Sequence, residues 1–177
     1  PEFQEIHNRL LKEFREVYRI RSSSHPVPAL GRTDDWWEAP FWIWRGGATQ
    51  RRPLMIRISP DSLELGVGTE SIASRESAAY PGEVWRKLLV DAKSQGWKIR
   101  PRALTTTLFV RLFLADLFIH GIGGAHYDEI TDRLSSRFYG LPAPEFLTVS
   151  AGQLLPLGAF PVSEQEEQAI RHDLWDL

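Results

Sequence analysis

Residues 116–132 read DLFIHGIGGAHYDEITD, and the fold class turns on how this run divides. Residues 118–120 are apolar up to a histidine and suit a short inner strand or a strand end. Gly121, Gly123 and Gly124 follow, permitting a tight turn or positive φ. Residues 127–138 then take helical spacing, with Ile130, Leu134 and Phe138 aligned. Residues 105–115 have the same periodicity through Leu108, Leu112 and Ala115, and EFLTVS at 145–150 reads as a strand. Helix, strand, helix and strand alternate, which implies an α/β layer with some parallel pairing.

The first half has a different pattern. Residues 3–19 form an amphipathic helix through Ile6, Leu10, Phe14 and Val17. A Ser/Pro/Gly-rich loop spans 20–35. Strands at 41–45, 54–58 and 63–67, separated by Gly46–Gly47 and the Pro60–Asp61 turn, suit an antiparallel meander. Residues 68–81 are small, polar and turn-like. A helix over 83–95 carries Val84, Leu88 and Ala92 on one face and ends at Gly96. WKIRPRAL (97–104) reads either as a short strand or as an extended entry to the next helix. The expected architecture is one α/β domain over 1–177: a three-layer-like or Rossmann-like partial sheet with an N-terminal helix and an antiparallel strand meander. PVSEQEEQAIRHDLWDL at the end starts as a helix, with Ser163 as cap and Glu164, Glu166 and Glu167 in its first turn. The chain reads equally well as a whole domain and as a piece of a larger protein.

Composition narrows the function classes. Of 177 residues, 42% are hydrophobic and 25% charged, a globular balance. A net charge of −2 gives no global attraction to nucleic acid or anionic lipid. The absence of cysteine excludes disulfides, thiolate catalysis and cysteine-ligated zinc, and fits a cytoplasmic protein. No apolar run reaches the ~18 residues of a membrane span.

The glycine run is the leading candidate site. A strand, glycines and a helix start gather free amides in one corner, where the helix dipole favours an anion. Lys98, Arg100 and Arg102 lie on the preceding segment, and alternation puts both arginines on one side, where they suit a phosphate or carboxylate clamp. The expected ligand-binding set is Arg100, Arg102, Gly121, Gly123, Gly124 and His126, with His120 as the catalytic acid–base group. The ligand is then a small anion or a nucleotide. The bland alternatives are a structural turn and a solvated basic edge. Position 126 is histidine where G-x-G-x-x-G requires its third glycine, and no P-loop pattern exists. His126, Asp128 and Asp132 form a possible carboxylate–imidazole cluster, but their spacing matches no metal signature, and acids near a helix start also serve the dipole. No metal site is expected and the cofactor is left open. Arg111 stands in an apolar helix and needs a mate, with Asp116 or Asp128 in reach.

The run 96–127, GWKIRPRALTTTLFVRLFLADLFIHGIGGAHY, resembles the core of the bacillithiol-pathway cysteine-adding enzyme family. The likeness lies in Arg100–Pro101–Arg102, the apolar helix after it and the glycine turn 121–124 behind a short strand. It covers at most a fifth of the chain and implies a Rossmann-like core with a ligand turn. His120 and the tryptophan-rich meander depart from that pattern, so the reaction does not carry over.

Four of seven tryptophans stand at 36, 37, 42 and 44. Trp42 and Trp44 share one strand face, opposite Phe41 and Ile43. Beside Arg45, Arg51 and Arg52 such a face suits core packing, a partner domain or base stacking. Two function readings follow: an anion- or nucleotide-binding α/β domain of a larger enzyme, or a structural or protein-interaction domain that uses the tryptophan face.

Overall fold

A computed structural model describes residues 1–21, 27–76, 81–153 and 163–175. The chain runs α1 (Glu2–Val17), β1 (Arg32–Thr33), β2 (Trp36–Arg45), β3 (Arg52–Ile58), β4 (Ser62–Val67), β5 (Glu70–Glu76), α2 (Pro81–Ser94), β6 (Trp97–Pro101), α3 (Ala103–Phe113), β7 (Phe118–His120), α4 (Ile122–Phe138), β8 (Phe146–Thr148) and α5 (Glu164–Trp175). The α/β class, the N-terminal helix and the antiparallel meander are as the sequence leads one to expect.

The meander is longer than three strands. Strands β1 to β5 pair in sequence order, all antiparallel, and β6 joins β2. Residues 68–81 are therefore not all turn. ESIASRE forms β5 by pairing with β4, although its side chains alternate too weakly to announce a strand. The 97–104 segment resolves into strand β6, its residues 97–101 paired with 41–45 of β2, followed at once by α3.

The register of β2 shifts between Glu38 and Trp42, where Pro40 sits. Proline has no N–H to give the ladder, so a bulge is its natural place in a sheet. The freed Pro40 carbonyl accepts the Arg102 N–H at 3.0 Å and the Thr105 hydroxyl at 3.3 Å. That bulge fastens the start of α3 to the sheet.

Two apolar clusters hold the molecule. In the first, Val84, Leu88 and Ala92 of α2 pack on Ile43, Leu54, Leu63, Leu65 and Val67 of the sheet. At about 25 cal/mol per Å² of buried apolar surface, each of the valine, leucine and isoleucine side chains contributes roughly 1.5–3 kcal/mol. Trp36 is buried on the other side and lies over Gly66; a Cβ there would come 2.5 Å from its Cζ3. In the second cluster, Ile6, Leu10, Leu11 and Phe14 of α1 meet Ile130 and Leu134 of α4. Val17, expected on this face, is exposed at the helix end, while Gln4 and His7 are buried. Gln4 donates to the carbonyls of Leu30 and Gly31. Asn8 exchanges two 2.8 Å hydrogen bonds with Leu30. These polar contacts tie α1 to the chain entering the sheet.

Strands β7 and β8 pair in parallel across α4, with Ile119 opposite Leu147. This is a βαβ unit, and it supplies the parallel pairing expected of the second half. Helix α4 starts earlier than its periodicity suggests. Gly123 and Gly124 lie within its first turn and Gly121 is its N-cap. The glycine loop is thus a helix start, because glycines carry no apolar signal and the pattern becomes legible only beyond them. Helix α5 opens with a reciprocal capping box: the Ser163 N–H donates to Glu166 Oε2 at 2.9 Å and the Glu166 N–H to Ser163 Oγ at 3.4 Å. Among the described residues, no helix is long and apolar enough to cross a membrane.

Candidate functional site

Arg102 and His120 line one hollow of about 240 Å³ between the sheet and the helices. Its walls come from His7 of α1, Pro40 and Trp42 of β2, Thr105 of α3, and Gly124, Tyr127 and Asp128 of α4. The bulge at Pro40 places the start of α3 here, and the βαβ unit brings His120 to the opposite wall.

The Arg102 side chain is only 9% exposed. Its Nη2 is ion-paired with Glu38 Oε1, and its Cζ lies 4.1 Å from the Trp42 ring centroid. Glu38 Oε2 also accepts the Gly31 N–H at 2.8 Å, so this carboxylate is shared. Among the described residues, Arg102 Nε and Nη1 are buried without an acceptor. A guanidinium offers five N–H groups, and buried N–H groups left unpaired are costly.

His120 has a different support. Its Nε2 lies 2.8 Å from Asp128 Oδ2, and Asp128 is also ion-paired with Arg111. Arg111 donates to the Pro144 carbonyl and stacks with its Cζ 4.6 Å from the Phe146 centroid. Asp132 Oδ1 lies 2.7 Å from Arg111 Nη2, as an ion pair rather than an aligned hydrogen bond. Burial pushes the Asp132 carboxyl above the usual carboxylate range, against the pull of Arg111. Phe118 and Phe146 flank the His120 ring at 4.6 and 5.1 Å between centroids. A Cβ on Gly124 would stand 2.7 Å from His120 Nδ1, so only glycine lets the ring sit where Asp128 holds it.

Of the seven residues expected at the anion site, the structure brings three together: Arg102, His120 and Gly124. The other four lie elsewhere. Arg100 does stand on the tryptophan face, 5.8 Å above the Trp44 ring, but it lines a separate surface hollow with Trp44 and Lys98. Arg102 lies beyond the strand, where α3 begins, and turns inward. Gly121 and Gly123 are exposed, and neither lines the hollow. Their corner still marks a helix start, since the first bond at this end runs from the Ala125 N–H to the Gly121 carbonyl. His126 packs against Phe14 and Tyr18 of α1, at 5.0 and 4.3 Å between centroids. It takes no part in a cluster with Asp128 and Asp132; those acids hold Arg111 instead, since the helix presents positions 128 and 132 to α3. Asp128 rather than Asp116 is the mate of Arg111. Thr106 and Thr107 of α3 bond back to the carbonyls of Arg102 and Ala103.

His7 went unmarked in the sequence. It is 4% exposed, and burial depresses its pKa below 6.5, with the Asn8 contact opposing that shift. Its signal was positional: it falls on the buried stripe with Leu10, Leu11 and Phe14.

No protein-family model matches the chain, and no curated protein or solved structure matches it.

Proposed function

We propose that this chain is an anion-binding α/β domain whose ligand sits in the hollow between Arg102 and His120. The observation that carries the reading is Arg102: a buried cation lining a hollow, with one shared carboxylate and two nitrogens, Nε and Nη1, lacking acceptors among the described residues. An incoming phosphate or carboxylate would accept from those nitrogens once the groups that cover them shift aside, and such charge-assisted bonds are the stronger kind. A volume of about 240 Å³ lies below the roughly 300–1,000 Å³ of drug-sized sites, which favours a small anion over a nucleotide. His120, held by Asp128, is the group placed to exchange a proton with that ligand. Calorimetric titration with inorganic phosphate tests the reading. Saturable binding that Arg102→Gln abolishes supports it; equal binding by both proteins refutes it.

A second reading, an interaction domain, draws support from β7–β8 rather than from the tryptophans. Trp42 and Trp44 are each covered by an arginine, Arg102 and Arg100 respectively. Ile119 and Leu147, paired across the parallel strands, are 57% and 52% exposed. Parallel strands are ordinarily covered on both faces. Sedimentation showing concentration-dependent association that Leu147→Lys removes would favour this reading.

A further inference from the structure

We propose that the anion bound beside Arg102 is a hydroxylated one: a small phosphate or carboxylate whose body donates O–H groups to the rest of the hollow. The inference rests on the anion-binding reading above and concerns what the other walls can accept.

The hydrogens of His7, His120, Thr105 and Thr107 are each fixed by a neighbour. Asp128 is a carboxylate held by Arg111, and a carboxylate only accepts. His120 Nε2 must therefore carry the proton it shares at 2.8 Å, which leaves Nδ1 bare in the neutral ring. Asn8 donates its Nδ2 to the Leu30 carbonyl and accepts the Leu30 N–H on Oδ1, both at 2.8 Å. That orientation turns a pure acceptor toward His7 Nδ1 at 3.2 Å, so His7 Nδ1 carries the hydrogen and Nε2 is bare. Burial favours this uncharged form of His7. Thr105 and Thr107 have spent their hydroxyl hydrogens on the carbonyls of Pro40 and Ala103, so both offer only lone pairs.

The hollow thus sets two donors, the Arg102 guanidinium and the Trp42 indole N–H, against four acceptors, His7 Nε2, His120 Nδ1 and the two threonine oxygens, with the Tyr127 hydroxyl able to play either part. A plain anion satisfies the donors and gives the acceptors no hydrogen to accept. A ligand with an anionic head and hydroxyl groups satisfies both. Phosphorylated polyols and hydroxycarboxylates share that chemistry and fit the volume.

The test compares matched pairs by calorimetry on the full chain: glycerol 3-phosphate against propyl phosphate, and glycerate against propionate. The expected result is that the hydroxylated member of at least one pair binds about tenfold more tightly. The pair that shows it distinguishes a phosphate from a carboxylate head. The preference should shrink toward unity in His120→Phe and in His7→Phe, and return in His7→Gln, whose amide oxygen restores an acceptor. Equal binding within each pair overturns the inference and leaves the anion reading standing. If neither member of either pair binds, the anion reading fails and this inference with it.

Discussion

Arg57 and Arg111 make the same kind of contact in opposite halves of the molecule. Arg57, on β3, pairs with Glu64 at 2.7 Å and lies 4.7 Å from the Trp36 centroid. Arg111, on α3, pairs with Asp128 and lies 4.6 Å from Phe146. The difference is water. The Arg57 side chain is 33% exposed and that of Arg111 is 1%. In the sheet, arginines lie over aromatic rings at the surface and the core beneath α2 is built of apolar side chains, with the Trp97 indole N–H buried at its margin. In the βαβ half, a buried charge cluster lies beside the apolar contacts of α4, and it holds a histidine in place. Among the described residues, Arg111 leaves only Nε without an acceptor, whereas Arg102 leaves Nε and Nη1. The first arginine is largely filled by its own chain; the second, at the junction of the halves, is not.

That contrast is sharpest under substitution. Arg111→Met should cost about 3–5 kcal/mol, because it strands the Asp128 carboxylate inside the protein. Urea unfolding would read this loss, and Asp128→Asn in the same background should recover much of it. Recovery absent, the charge cluster is not what holds the βαβ half. Leu88→Ala, in the apolar half, should cost about 2–5 kcal/mol. No companion substitution of a charged residue should relieve it, since only contacts and volume are lost. Gly124→Ala should cost about 1–3 kcal/mol, as the new methyl displaces His120 from Asp128. Histidine side-chain NMR should show the altered ring, and phosphate binding should weaken while the sheet's amide protection is unchanged.

The smallest effect is one of pH. The pKa of His7 is lowered in the folded protein, so below about pH 6.5 the unfolded chain takes up the proton more readily. Its contribution to stability is therefore full above that pH and is lost as pH falls toward the depressed folded value. A melting-temperature profile from pH 7.5 to 5 should decline, and His7→Gln should flatten part of that decline. An unchanged profile would place His7 in a wetter setting than its burial indicates.

These same residues show what the sequence could and could not tell. Period-3.6 runs such as Val84, Leu88 and Ala92 carry their fold in the pattern, as does the apolar alternation of Leu63, Leu65 and Val67. Strand β5 was illegible, because ESIASRE is a strand through its pairing with β4 and not through its side chains. Arg102 and His120 were recognisable as chemistry-bearing residues, and the hollow brings them together. The separation of Arg100 from Arg102 was hidden, since it depends on α3 starting at residue 103, directly after the Pro40 bulge fixes Arg102. Asp128 was legible as one of two candidate mates of Arg111, whereas His7 and the contact of His120 with Asp128 needed three-dimensional proximity, because a contact 8 residues along the chain leaves no periodic trace.

The most direct test is a crystal soaked in selenate, read by anomalous diffraction. An anomalous peak within hydrogen-bonding distance of Arg102 Nε or Nη1, inside the hollow that His120 faces, is the predicted result. A hollow empty of signal while selenate settles on Arg100 and other surface arginines would contradict the account.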